Sequence, residues 1–128
     1  MSKADWVSVV RRIEKPWGHE EIFAFVDGKF CGKAIHVRDG HALSLQYHVQ
    51  KEETICVQSG RLRVDIGLHE ETLESFELEP GEAIHLRPGV RHRVTAIGDT
   101  VMLEASTTQL TDVVRLEDRY GRQGTNAP

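Results

Sequence analysis

The stretch LSLQYHVQKEE, residues 43–53, alternates apolar and polar side chains with the period of two that is typical of a β-strand. One face of this strand is apolar and consists of Leu43, Leu45, Tyr47 and Val49. The opposite face is polar and consists of Ser44, Gln46, His48 and Gln50. Burying four unpaired polar side chains would cost about 2 kcal/mol or more for each of them. The polar face therefore indicates either a solvent-exposed strand face or a polar cavity that could hold a metal ion.

The same period of two continues along most of the chain and predicts an all-β fold. Short turn signals, such as Asp-Gly at 27–28 and 39–40 and Pro-Gly at 80–81 and 88–89, separate the alternating segments. The predicted strands are Glu20–Val26, Phe30–Val37, Ala42–Val49, Glu53–Gln58, Arg61–Leu68, Thr72–Leu78, Ala83–Leu86, His92–Ile97 and Val101–Ser106. Short strands at this spacing are typical of a β-sandwich or barrel.

The chain divides into a predicted barrel at residues 15–108 and two shorter terminal segments. Residues 1–14 are compatible with a short strand or a helical turn. Residues 109–128 contain LTDVVRLEDRYGR, which is compatible with a short helix or with an extended strap along the barrel. The final residues, QGTNAP, are expected to be frayed.

The composition is that of one globular domain. The chain has 128 residues, 39% of them hydrophobic, and a formal net charge of −4. The lysines and arginines are scattered, which argues against a nucleic-acid partner, and no apolar run is long enough for a membrane partner. The N-terminus lacks the apolar core of a signal peptide, so we expect a cytoplasmic protein in which Cys31 and Cys56 are reduced.

Two blocks of residues narrow the interpretation of the polar face. The first runs from Gly40 through Gln46, His48 and Glu53 to Gly60, and the second from Pro80-Gly81 through Arg87-Pro88-Gly89 to His92. These spacings resemble the two motifs of the cupin superfamily, with three departures: Gln46, Arg87 and Ala96 stand where the motifs have His, Pro and Asn. The resemblance implies a jelly-roll β-barrel, also called a double-stranded β-helix. It also implies the metal ligands Gln46, His48, Glu53 and His92.

A narrower resemblance covers most of the chain from Lys15 to Arg122. The stretches KPWGHEE (15–21), LSLQYH (43–48), RPGVRHRV (87–94) and DVVRLEDRYGR (112–122) resemble the isomerase domain of the bifunctional enzymes that join phosphomannose isomerase to mannose-1-phosphate guanylyltransferase. That family usually has three consecutive histidines where this chain has His48-Val49-Gln50. The resemblance implies a metal-dependent isomerase of a sugar phosphate or a similar polar carbonyl compound.

The implied ligands provide nitrogen and oxygen donors, which suit one divalent transition metal. Zinc is the expected ion, and manganese, iron, cobalt and nickel are alternatives. Two other functions remain open. One is a different metal-dependent cupin enzyme, such as a dioxygenase, lyase or epimerase of sugar or secondary metabolism. The other is a non-catalytic cupin that binds a sugar or another small ligand.

Several further residues are candidates for catalysis or substrate binding. Lys33 and His36 are candidate bases, although their separation by three residues places them on opposite faces of a strand. Gln50, Lys33 and Arg87 are candidate substrate-binding residues.

The remaining candidates concern the surface and the tail. Arg119 and Arg122 could bind a phosphate group, or could attach the strap to the barrel by ion pairs. His19, His41 and His69 are expected to be exposed turn residues. A homodimer is expected, because an open jelly roll leaves edge strands to protect.

Overall fold

The computed structural model describes residues 1–128 as eleven strands and one short helix. The elements are α1 Lys3–Trp6, β1 Arg11–Lys15, β2 Gly18–Val26, β3 Phe30–Val37, β4 Leu45–Tyr47, β5 Glu53–Ser59, β6 Leu62–Gly67, β7 Glu74–Leu78, β8 Ala83–Leu86, β9 Arg91–Ala96, β10 Thr100–Ser106 and β11 Val114–Glu117. The four-residue α1 is far too short to cross a membrane, and the structure has no other helix.

The strands form two antiparallel sheets that make up a jelly-roll barrel. The six-stranded sheet has the order β1-β2-β3-β10-β5-β8, and the five-stranded sheet has the order β11-β4-β9-β6-β7. The two sheets share one hydrophobic core, with Leu62 and Val64 of one sheet and Ile35, Val57 and Met102 of the other among its buried members. The predicted all-β jelly-roll fold is confirmed.

All nine predicted strands are present, and eight of them end within two residues of the predicted bounds. The exception is the strand predicted at Ala42–Val49, of which only Leu45–Tyr47 is a regular strand. The chain leaves the sheet after Tyr47 because the carboxylate of Asp112 accepts hydrogen bonds from the backbone N–H groups of Val49, Gln50 and Lys51. This turn directs His48 and Lys51 into the interior, where both are buried.

The terminal segments extend the two sheets. β1 pairs with β2 along all five of its residues, and β11 pairs with β4. The segment after residue 109 is therefore an extended strap that contains a strand, and the alternative of a short helix is wrong. Tyr120 in this strap bonds to His41 through its hydroxyl group, at 2.6 Å from Nδ1.

Candidate metal centre

Three buried side chains from three different strands or turns meet inside the barrel. His48 follows β4, Glu53 opens β5, and His92 lies in β9. The Nε2 atoms of His48 and His92 lie 3.1 Å and 3.2 Å from the same oxygen, Oε1 of Glu53. We refer to His48, Glu53 and His92 as the barrel triad. Its three ligand atoms all lie within 4.8 Å of one another, which is compact enough for one ion.

The backbone fixes which nitrogen of each imidazole faces Glu53. His48 Nδ1 lies 2.6 Å from the carbonyl oxygen of Asp112, and His92 Nδ1 lies 3.0 Å from that of Val90. A carbonyl oxygen only accepts hydrogen bonds, so both Nδ1 atoms carry protons. In neutral imidazoles the Nε2 lone pairs then point toward the carboxylate of Glu53.

This arrangement fits a bound metal cation. Lone pairs on Nε2 and on a carboxylate oxygen at 3.1–3.2 Å repel each other unless a proton or a cation lies between them. His92 Nε2 is buried and makes no hydrogen bond, although Glu53 is close to it. Two ligands that are each about 2.1 Å from a tetrahedral ion lie about 3.4 Å apart, close to the separations seen here. The triad therefore has the donors, the orientation and the spacing for a transition metal.

A buried ion-pair network surrounds the triad. Lys51 Nζ lies 3.4 Å from Glu53 Oε2 and 3.2 Å from Glu104 Oε2. Burial alone would raise the pKa of Glu53, but the two adjacent imidazoles and the charge of Lys51 hold it well below its usual range. Burial and the charge of Glu53 raise the pKa of Glu104 to about 7. Burial opposes the charge of Lys51, but the two carboxylates raise its pKa above the ordinary value.

A narrow cavity of about 60 Å³ opens beside the triad, and His48 is the triad residue that lines it. The charged side chains around it are five cations and three acids, and this imbalance favours an anionic ligand. They are Lys15, Lys33, Lys51, Arg115 and Arg122, with Glu20, Glu104 and Asp112. Pro128 also lines this cavity, and its segment is bonded to two of the cations: Arg115 donates hydrogen bonds to the carbonyl oxygens of Thr125 and Ala127, and Lys15 donates to that of Pro128.

Two of the predicted site residues join the triad at this cavity. Gln46 lies on β4 directly opposite His92 on β9 and lines the cavity, where its Oε1 accepts a hydrogen bond from Ser44 Oγ. Lys33 is buried on the inner face of β3, and its Nζ donates to Glu20 Oε1 at 3.1 Å. Burial disfavours ionisation of Glu20, but Lys33 and Lys15 outweigh it and lower its pKa.

The structure does not bring His36, Gln50 or Arg87 to the cavity. His36 lies on the outer face of β3, because its neighbours Ile35 and Val37 point into the core. Gln50 is exposed in the turn that Asp112 holds, so the alternation of residues 43–49 does not extend to it. Arg87 is exposed in the turn after β8. Their predicted roles as base or substrate contacts at the barrel triad are not supported by these positions.

The residues of the site that lie outside the predicted set include Lys51, Glu104, Asp112 and Arg115. The strand period of two could have predicted that two of them point inward. Lys51 lies two residues before the buried Glu53, and Glu104 lies two and four residues after the buried Met102 and Thr100. No local pattern marks Asp112 or Arg115, because their roles depend on the strap crossing β4. The tail arginines have protein partners: Arg122 binds the carboxylate of Asp118, and Arg119 binds the carbonyl oxygen of Gly40.

Two bacterial proteins are similar to this chain in sequence. The chain is 34% identical over 127 residues to the xanthan biosynthesis protein XanB of Xanthomonas campestris pv. campestris, and 33% identical over 118 residues to the mannose-1-phosphate guanylyltransferase ManC of Salmonella typhimurium. These alignments cover 94% and 88% of the chain but only 25% and 23% of the relatives. The chain thus spans about a quarter of the length of the curated relatives it matches.

Solved structures with low sequence identity share the fold. A crystal structure of CapF with the inhibitor 3-isopropenyl-tropolone matches 92% of this chain and 37% of its own, with a TM-score of 0.77 and 15% identity. The oxalate decarboxylase of Bacillus subtilis matches 84% of this chain and 30% of its own, with a TM-score of 0.71 and 14% identity. The family model described as "Cupin domain" matches residues 34–106, which include the barrel triad. The chain therefore belongs to the cupin domain family.

Proposed function

We propose that this cupin is a metal-dependent isomerase of a sugar phosphate or a similar polar carbonyl compound. The observation that carries the proposal is the meeting of the barrel triad with a cavity lined by more cationic than acidic side chains. The similarity to a mannose-1-phosphate guanylyltransferase and to a xanthan biosynthesis protein supports a phosphorylated sugar as the substrate class.

The barrel triad would hold the metal, with Gln46 as a fourth, weaker ligand. A divalent ion in this position supplies a Lewis acid that polarises a carbonyl oxygen. One or two coordination positions remain for substrate oxygens in a five- or six-coordinate ion. Glu53 is committed to the metal, and the contacts of His48 and His92 with backbone carbonyls keep their rings oriented.

The cationic side chains would bind the anionic group of the substrate. Lys33 is held by Glu20 in the cavity wall, and it is the candidate base that shares the cavity with His48. Arg115 and Lys15 now bond to residues 125–128. A hexose phosphate is larger than the cavity of about 60 Å³, so its entry requires this segment to move away. Its phosphate oxygens would then replace the backbone carbonyls as acceptors.

A different metal-dependent reaction is the second candidate. Two histidines and one carboxylate also form the ligand set of non-haem iron oxygenases, which keep open positions for oxygen and substrate. Iron in the purified protein, with oxygen consumption, would favour this function. Zinc, our first choice of metal, favours the isomerase.

We also propose that the protein works as a cytoplasmic homodimer. Phe23, Phe25 and Phe30 of the six-stranded sheet are 56%, 43% and 51% exposed, which is unusual for large apolar side chains on a monomer. Light scattering after size-exclusion chromatography gives the mass of the particle. A monomer at micromolar concentration would contradict the homodimer.

Metal analysis combined with a substrate screen tests the function. Protein purified without chelator is expected to retain metal in the barrel triad, and His92→Ala is expected to lose it while keeping its fold. Gln46→Ala should weaken metal binding about tenfold, and Gln58→Ala, an exposed glutamine on β5, is the matched control. Deuterium incorporation from D₂O into a panel of hexose and pentose phosphates reports isomerase activity. A metal-loaded protein that exchanges no proton with any of them is not an isomerase of this class.

A further inference from the structure

A second group of metal-binding side chains lies on the outer face of the six-stranded sheet. Along β2, Glu20 and Ile22 are buried in the barrel, so His19 and Glu21 point outward. His36 points outward from β3 and is the direct cross-strand partner of His19. The sequence predicted exposed turn residues at His19, His41 and His69, but His19 is half-buried and part of this group. We refer to His19, Glu21 and His36 as the outer triad.

The outer triad repeats the convergence of the barrel triad on the other side of the sheet. Nε2 of His19 lies 3.0 Å from Glu21 Oε1, and Nε2 of His36 lies 3.2 Å from the same oxygen. All three ligand atoms lie within 4.8 Å of one another. Ligands about 2.1 Å from an ion are about 3.0 Å apart in cis octahedral positions and about 3.4 Å apart in a tetrahedron. The two measured separations, 3.0 Å and 3.2 Å, lie within this range.

An ion pair alone is a poor explanation of this arrangement. The rings of His19 and His36 stack with their centroids 4.2 Å apart and an interplanar angle of 12°. Two imidazolium ions in that position would repel each other. A divalent cation would instead bond both neutral rings and Glu21 at the same time.

The backbone is shaped for this approach. A Cβ atom at position 18 would lie 1.8 Å from the carbonyl oxygen of His36, so only glycine allows the start of β2 to lie this close to β3. A cleft of about 380 Å³ borders both imidazoles, and Arg12, Glu14 and Asp99 also line it. Water or a further oxygen ligand has room to complete the coordination of an ion there.

We propose that His19, Glu21 and His36 form a second site for a divalent transition metal, with two nitrogen ligands and one carboxylate. This ligand set suits zinc, with copper and nickel as alternatives, and its open positions face the cleft. The site lies on the opposite face of the sheet from Lys33 and shares no residue with the barrel triad. It therefore stands independently of the isomerase proposal.

Zinc titration of the chelator-stripped chain tests the second site. Isothermal titration calorimetry with ZnCl₂ is expected to give two equivalents per chain for the wild type. The double variant His19→Ala/His36→Ala should take up one equivalent, and His92→Ala should also take up one. Each single substitution in the outer triad should weaken the second equivalent at least about tenfold. His85→Ala is the matched control, because His85 is an exposed histidine that contacts one carboxylate, that of Glu52, and no second imidazole.

Nitrogen NMR identifies the ligand atoms directly. Zinc should shift the Nε2 resonances of His19 and His36, and these shifts should persist in His92→Ala. The outer site would be overturned if the His19→Ala/His36→Ala variant still binds two equivalents of zinc. It would also be overturned if the wild type binds one equivalent and His92→Ala binds none. Failure of the barrel site leaves a different pattern: a single equivalent that is lost in the double variant and kept in His92→Ala. Circular dichroism melts of all variants test whether the fold is retained.

Discussion

Asp112 links the strap to the metal centre, and replacing it with alanine is the sharpest test of how the site is held. Its carboxylate accepts backbone hydrogen bonds from Val49 at 2.9 Å, Gln50 at 2.6 Å and Lys51 at 2.8 Å. Its own carbonyl oxygen accepts from His48 Nδ1. Asp112→Ala removes the first three bonds and keeps the fourth, so it isolates the contribution of the turn at 49–51.

The size of the effect follows from the exposure of these groups. A hydrogen bond to a charged partner contributes about 1.5–3 kcal/mol when it is buried. Val49 and Gln50 are exposed, so water can replace most of their bonds, whereas Lys51 is buried. The expected loss in free energy of unfolding is therefore about 2–4 kcal/mol, or a fall in Tm of about 10 °C for a chain of this length. Zinc affinity should fall about 10- to 100-fold, because the turn positions His48.

Urea denaturation at pH 7 measures the stability, and competition with a chromophoric chelator measures the zinc affinity. Asp39→Ala is the control, since Asp39 accepts one backbone hydrogen bond in an exposed turn, and we expect it to cost less than about 1 kcal/mol. A loss below about 0.5 kcal/mol in Asp112→Ala, with unchanged zinc affinity, would refute the role of the turn.

The remaining predictions concern pH, the buried charges, the core and the outer sheet. Burial opposes ionisation of Asp112, but its backbone hydrogen bonds outweigh this effect and lower its pKa. The stability advantage of the wild type over Asp112→Asn should therefore be complete above the unfolded-state pKa of about 3.9 and should disappear as pH falls through the folded-state pKa. Urea denaturation from pH 7 to pH 2 measures this advantage, and an advantage that persists at the lowest pH contradicts the prediction. Lys51→Met should lower the free energy of unfolding by about 3–5 kcal/mol, because it leaves two buried carboxylates without a cation. Adding Glu104→Gln should restore part of this loss. A double-mutant cycle measures the coupling between the two residues, and a coupling energy near zero would contradict the prediction. Leu62→Ala, at a fully buried core position, should cost about 2–5 kcal/mol in the same assay with no loss of bound zinc per folded chain. Gly18→Ala should displace the start of β2 and weaken zinc binding at the outer triad more than at the barrel triad, and equal effects on both would contradict the close approach described above.

The fold could be predicted from the sequence because its signals are local. Glycine-containing turns divided the alternating segments, and the predicted strands at Phe30–Val37 and Ala83–Leu86 match the structure at both ends. The resemblance of the two blocks to the cupin motifs also implied His48, Glu53 and His92, the three residues that meet in the barrel.

The rest could not be predicted because it depends on contacts between distant parts of the chain. The turn after Tyr47 is held by the carboxylate of Asp112, which lies more than 60 residues away in the sequence. An argument from alternation alone therefore assigns Gln50 to the wrong face of the strand. His36 shows the opposite case: its separation from Lys33 already excluded a shared face, and only the structure shows which of them points inward. The cross-strand approach of His19 to His36 depends on strand register, which the local pattern does not fix.

The attachment of the strap has a consequence for the order in which the molecule assembles. The contacts from Asp112 to His48, Val49, Gln50 and Lys51 span 61 to 64 residues. Closing so long a loop costs entropy before it gains any bonds, so these contacts form late in folding. During synthesis, residues 48, 53 and 92 all leave the ribosome before residue 112. A nascent chain thus carries His48, Glu53 and His92 while the backbone that orients His48 is still missing, so we expect tight binding of an ion by the barrel triad only after the strap has arrived.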